Sequence, residues 1–156
     1  LNGFSRLVIS GIILFIMSSF SVVFFAKSNP LSIFQWNKRL LVVVTPNADN
    51  KKYVKQKKFI ENKPLGLRDR DIHVVKIIDK QFWGILKANS SVKDVLKVFD
   101  FYKLNENIFS ILLIGKDGDE KLRSVEPLSM CILFDLIDTM PMRQNEILEK
   151  GRNVKC

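Results

Sequence analysis

The chain has 156 residues, 47% of them hydrophobic and 26% charged, with a formal charge of +9 at pH 7. That length supports one domain with a genuine core and leaves little room for a second. One histidine and two cysteines argue against a zinc centre, which draws its ligands largely from those types, and a lysine run without interleaved aromatics argues against nucleic acid.

In chain order, Leu7 to Ala26 carries no charge and lies between Arg6 and Lys27. About 20 such residues suit either a long secretory signal or one membrane-spanning helix. Ala26-Lys27-Ser28 puts small residues at the two positions that matter for cleavage before Asn29, so residues 1–28 read as a signal peptide, with an uncleaved membrane anchor as the alternative. In both cases the remainder is exported, to a periplasmic or extracellular setting. The first residue, Leu1, is not Met, which leaves the true start open. Without residues 1–28 the chain keeps 23 Lys and Arg against 16 Asp and Glu, a charge of +7.

Leu31, Ile33, Phe34 and Trp36 form a lead-in expected to pack back onto the domain. Arg39 to Thr45, rich in β-branched residues and stopped by Pro46, reads as a buried strand. Asn47 to Asn50 offer cap chemistry for a helix over 50–62. Pro64 to Arg70 read as a turn, and Asp71 to Asp79 as a second buried strand, parallel to the first through a βαβ connection. The stretch KQFWGILKAN fits either a short hairpin or a packed loop. Val92, Val95, Leu96, Phe99 and Tyr102 are spaced for a helix beginning at Ser90-Ser91. Ile108 to Ile114, then Gly115-Lys116-Asp117-Gly118 and Lys121-Leu122-Arg123, read as a β-hairpin turning at Asp-Gly. A last helix spans Ser129 to Thr139, with Pro141 interrupting before MRQNEILEK. The order β-α-β-α-β-β-α is that of a thioredoxin-like core.

The segments RLLVVVTPN, LRDRDIHVVKI, FSILLIGKDGDEKLR and LFDLIDTMPMRQNE, in this order and spacing, resemble the peroxiredoxin-like DUDES domain family, a domain of unknown function. That family occurs in exported bacterial proteins and in the C-terminal parts of vertebrate sushi-repeat-containing and coiled-coil extracellular-matrix proteins. The resemblance covers Leu31 to Glu146. It implies a thioredoxin-like, three-layer α/β sandwich, assigned to residues 29–149, in an extracytoplasmic setting; beyond it, Lys150, Arg152 and Lys155 mark residues 150–156 as a basic tail. It supplies no catalytic residues.

A thioredoxin-like redox protein needs a thiolate at the start of its first core helix, where the helix dipole stabilises negative sulfur. Thr45, Pro46, Asn47, Ala48, Asp49 and Asn50 stand there instead, and Asn107-Ile108-Phe109-Ser110 has no proline before the hairpin strand. Cys131 in SMCILFDLIDTM reads as a core thiol and Cys156 as an unattached terminal one, with a single bridge as the alternative; thiol chemistry at Cys131 is the least favoured function. Asn47, Asp49, Arg68, Asp69, Asp71 and Arg143 are the candidate polar site for an enzyme of unrecognised type. The plainer expectation is capping by the first two, a salt-bridged turn over Arg68 to Asp71, and a structural ion pair from Arg143 to Asp138 or one of those aspartates. Lys51, Lys52, Lys55, Lys57 and Lys58 are the candidate anionic-surface site, or else a solvated helix face. Phe82-Trp83 would mark a partner patch if exposed. Asp117, Asp119 and Glu120 read as a charged hairpin tip, and His73 lacks the neighbours of a catalytic histidine. The expectation is therefore a non-catalytic module with no metal and no cofactor. Its partner would be a protein or an anionic envelope component such as phospholipid headgroups or a polyanionic polymer, with membrane association through residues 7–26 as a further possibility.

Overall fold

A computed structural model describes residues 28–83, 91–151 and 154–156. The export segment and most of KQFWGILKAN lie outside the described residues.

Five strands form one mixed sheet in the order β3-β2-β1-β4-β5. The central strand β1 (Arg39–Thr45) is buried along its whole length, as a strand covered on both faces and paired on both edges must be. It runs parallel to β2 (Ile72–Ile78) and antiparallel to β4 (Ser110–Ile114). The edges are β3 (Gln81–Trp83), a hairpin partner of β2, and β5 (Glu120–Ser124), which returns from β4 through the Asp-Gly turn. Gly118 in that turn has φ +87°, a conformation that favours a residue without Cβ.

Helices α1 (Lys51–Glu61) and α2 (Pro64–Asp69) fill the crossover from β1 to β2. Helix α3 (Val92–Phe101) precedes β4, and α4 (Met130–Asp138) and α5 (Pro141–Lys150) follow β5. Strand alternation sends Leu41, Val43, Ile111 and Leu113 to one core, against Tyr53 and Ile60 of α1, Leu67 of α2 and Leu133, Phe134 and Ile137 of α4. Leu40, Val42, Val44, Leu112 and Ile114 face the other core, against Val95, Val98 and Phe99 of α3. The middle of the sheet is therefore covered on both faces, which explains the near-continuous apolar runs of β1 and β4.

Several expectations need correction. Residues 64–69 are a helix rather than a turn: Pro64 occupies the first turn, where its missing N–H costs nothing, and six residues are too few to show a period. Gly66 in this helix is a packing residue, since a Cβ there would collide with the Phe134 ring. In the lead-in, Leu31 is buried and Phe34 half-buried, whereas Ile33 and Trp36 are 73% and 64% exposed. Residues three apart share a side of the 3-10 turn at Ser32–Phe34, so Ile33 points away. Phe82 is buried and Trp83 exposed, since successive strand residues point to opposite faces and at this edge strand only the face of Phe82 is covered.

Cys131 and Cys156 are bonded, with Cα atoms 5.5 Å apart, which corrects the expectation of two separate thiols. Met130, Leu133, Phe134 and Ile137 take the inward face of α4 and leave Cys131 half-exposed. The segment 154–156 returns to meet it, held where the Val154 N–H donates to Asp69 Oδ2 and Arg70 donates to the Val154 carbonyl.

Candidate functional site

At the C-terminal end of β1, the Thr45 hydroxyl donates to the Asn47 carbonyl at 2.8 Å, which folds the TPNADN loop over its own strand. The Asn50 side chain accepts from the N–H groups of Lys52 and Tyr53 at 3.0 and 3.3 Å. Asn50 alone is thus the α1 cap, and Asn47 and Asp49 are exposed.

Asp69, Asp71 and Arg143 lie at the opposite end of the parallel strands, because residues 68–71 enter β2 beside Arg39 and Asn47 to Asn50 leave β1 beyond Thr45. Seven-residue strands separate the two groups by about 20 Å. The six candidate polar residues do not form one site. Arg68 is exposed at the end of α2.

Asp69, Asp71 and Arg143 do enter a closed ionic cluster. Arg143, 0% exposed, donates through Nη2 to Asp69 Oδ2, through Nη1 to the Asp69 carbonyl at 2.8 Å, and through Nε to Asp138 Oδ1 at 3.0 Å. Arg70 grips the same Asp138 carboxylate at 2.9 and 2.6 Å and lies 4.3 Å over the Phe134 ring. Arg39 forks onto Glu146 at 3.0 and 3.1 Å, and Lys116 bridges Glu146 and Asp71 at 2.8 and 3.0 Å.

Burial pushes the Asp69 carboxyl up, but the Val154 N–H and Arg143 bonds, with the charges of Arg143 and Arg70, outweigh it and hold the group below the usual carboxylate range. Glu146 is likewise raised by burial and lowered further by Arg39 and Lys116, and Asp71 by Lys116, Lys150 and Lys38. A general acid at neutral pH needs a raised carboxyl pKa, so these groups are tuned in the opposite direction. Nearby, half-buried His73 packs edge-on to Phe34 at 6.0 Å. Burial and Lys38 lower its pKa, against an opposing effect of Asp71.

Hairpin carboxylates are also paired within the protein, Asp117 with Lys121 and Glu120 with Arg123. Sequence reasoning anticipated the Arg143–Asp138 pair but missed Arg39 and Glu146. A charge opening an apolar strand and a glutamate three residues after Arg143 were their only local signals.

The five candidate lysines diverge around α1. Lys52 pairs with Glu126, Lys55 lies over the Phe59 ring at 5.7 Å, and Lys57 is 3.9 Å from Glu61. Lys51, Lys55 and Lys58 line a shallow depression with Asp49 and Val54. On the flank toward β2 and β3, a groove of about 490 Å³ is lined by Tyr53, Val54, Lys57, Lys58, Lys76 and Trp83, among others. Lys76 had one sequence signal, its place inside the apolar run VVKIID.

These features define a mixed α/β domain with an internally paired ionic end and a basic, partly aromatic groove on one helix flank. The chain belongs to the family described as a domain of unknown function (DUF4174), whose model matches residues 30–146. It is 28% identical over 145 residues to coiled-coil domain-containing protein 80 of Danio rerio, covering 82% of this chain and 17% of that protein. It is 31% identical over 121 residues to the sushi repeat-containing protein SRPX of Rattus norvegicus and to that of Homo sapiens, in each case covering 76% of this chain and 26% of the relative. The chain thus spans about a sixth to a quarter of the length of these curated relatives. No solved structure matches it.

Proposed function

We propose that this chain is an exported, thioredoxin-like binding module that has no redox thiol at its strand-to-helix loop and engages an anionic envelope component or protein through α1. One observation carries the reading: of the candidate polar residues, Asp69, Asp71 and Arg143 are taken up in internal ion pairs and Asn47, Asp49 and Arg68 stay exposed outside that cluster, whereas Lys51, Lys55, Lys57 and Lys58 remain exposed around open depressions. The thioredoxin-like assignment is supported by strand order. Within the sheet, β2-β1-β4-β5 with β4 antiparallel to the rest is the arrangement expected of that core.

Export is supported by the uncharged segment Leu7 to Ala26 and by the Cys131–Cys156 bond, since disulfides persist mainly in oxidising compartments. A periplasmic location, and anchoring by residues 7–26, are the finer parts of the same proposal. Cys131, bonded and on α4, is far in sequence from the loop where a thioredoxin-like nucleophile would stand.

The test is recovery of partners from the native envelope with the wild-type chain and with Lys51, Lys52, Lys55, Lys57 and Lys58 replaced by Gln. A partner whose recovery falls in the variant, and falls for the wild type as salt is raised, is the expected result. Unchanged recovery of every partner removes the basic helix from the proposal.

A further inference from the structure

The groove beside α1 contains a cation that the surface-lysine reading does not use. Lys76 lies in β2, and its neighbours on the same strand face, Val74 and Ile78, pack into the core under α1 and α4. Register sets it directly across from Trp83 of β3, so the two side chains share that face. Lys76 is half-buried, and among the described residues its ammonium has no ion pair or hydrogen bond. The half-buried Lys38, Lys52 and Lys116 all reach carboxylates.

A strand lysine can bury its stem and keep its charge wet, and here the charge faces a groove rather than open surface. Lys57 and Lys58 of α1 supply two more ammoniums, against the one carboxylate of Glu61. Tyr53 and Val54 on one side and Trp83, 41% exposed, on the other give it apolar walls. A volume of about 490 Å³ falls within the range of small-molecule sites.

We propose that this groove binds a small organic anion with a flat apolar or aromatic body. Its carboxylate, phosphate or sulfate would be held by Lys76 with Lys57 and Lys58, and its body would lie against Trp83 and Val54. The inference rests on the binding-module reading and narrows it to a ligand class and a floor residue.

The chain has two tryptophans, so Trp36→Phe leaves Trp83 as the sole tryptophan, read by excitation at the red edge where tyrosine and phenol do not absorb. Titration with phenyl phosphate is expected to change that emission saturably. Inorganic phosphate and phenol, each offering half of the chemistry, should bind at least about tenfold more weakly. Lys76→Met, close in shape and without charge, should weaken phenyl phosphate about tenfold, the scale of one lost charge-assisted contact, with Tm unchanged or raised. The double variant Lys51→Gln/Lys55→Gln, outside the groove, should bind it as the wild type does.

Equal affinity in Lys76→Met, or equal loss in the outer-lysine variant, overturns the groove assignment. So does an absence of saturation through the millimolar range. Any of these results alongside lysine-dependent recovery of an envelope partner overturns the groove alone. Phenyl phosphate binding that depends on Lys76, without any lysine-dependent envelope recovery, overturns only the broader envelope reading.

Discussion

Arg39, Arg70 and Arg143 are each no more than 1% exposed, and each is forked onto carboxylates that also serve a second cation. Replacing a whole buried ionic set by apolar residues can be neutral, but removing one member leaves the other charges desolvated and uncompensated. For Arg143→Met the group left short of its close cation is Asp69, itself buried, while Asp138 loses one of two guanidinium partners and keeps its fork to Arg70. The variant should lose about 3–5 kcal/mol of stability, read as a fall in the urea midpoint at neutral pH. Arg143→Lys should recover part of this, because an ammonium keeps the charge but cannot reproduce the fork. Lys51→Ala, at an exposed site, should stay within about 0.5 kcal/mol of the wild type. A loss below about 1 kcal/mol for Arg143→Met would show that the cluster is not worth what its geometry implies.

At the scale of elements, the bond between Cys131 of α4 and Cys156 closes a sequence separation of 25 residues that includes all of α5. Chain-entropy reasoning gives such a loop about 3.5 kcal/mol, and the bond also holds Val154 against Asp69 and Arg70. Cys131→Ser/Cys156→Ser should therefore unfold about 3 kcal/mol more easily, with the far-ultraviolet circular dichroism of the folded state preserved. Reduction of the wild type should lower its midpoint toward that of the double variant and leave the variant unmoved. An unaltered midpoint would mean that α5 and residues 154–156 are held by their hydrogen bonds alone. This element was the least legible in the sequence. Strands β1 and β2, the Asp-Gly hairpin and helices α1, α3 and α4 announce themselves through period, caps and turn residues, which are local. Helix α2 is too short for a period, and the pairing of Cys131 depends on where residues 154–156 return. The Arg39–Glu146 fork joins positions 107 apart, for which no local pattern exists. The candidate site was legible in parts for the same reason: Arg143 and Asp138 are near neighbours in sequence, whereas Lys76 and Trp83 become partners only through strand register.

Across the whole molecule, stability at acid pH should fall in two stages, and the sign follows from where the titrating groups sit. His73 has a folded pKa below its ordinary value, so its contribution is complete above about 6.5 and is lost as pH falls through that value toward the folded one. Asp69, Asp71 and Glu146 are also depressed on folding. Their larger contribution is intact above about 4 and disappears as pH drops through the ordinary carboxylate range and on to their folded values. Protonating them leaves Arg39, Arg70, Arg143 and Lys116 crowded at one end of the sheet, in a chain whose net charge is already +9, so self-repulsion adds to the loss. Urea midpoints measured from pH 8 to pH 3 should show a plateau, a shallow decline below about 6.5 and a steep one below about 4. His73→Phe should erase the shallow stage and leave the steep one. Because Arg143→Met removes a cation that holds the Asp69 carboxyl below the usual carboxylate range, its stability should fall less between pH 6 and pH 3 than that of the wild type. Parallel curves for the two proteins would locate the acid-sensitive groups outside this cluster.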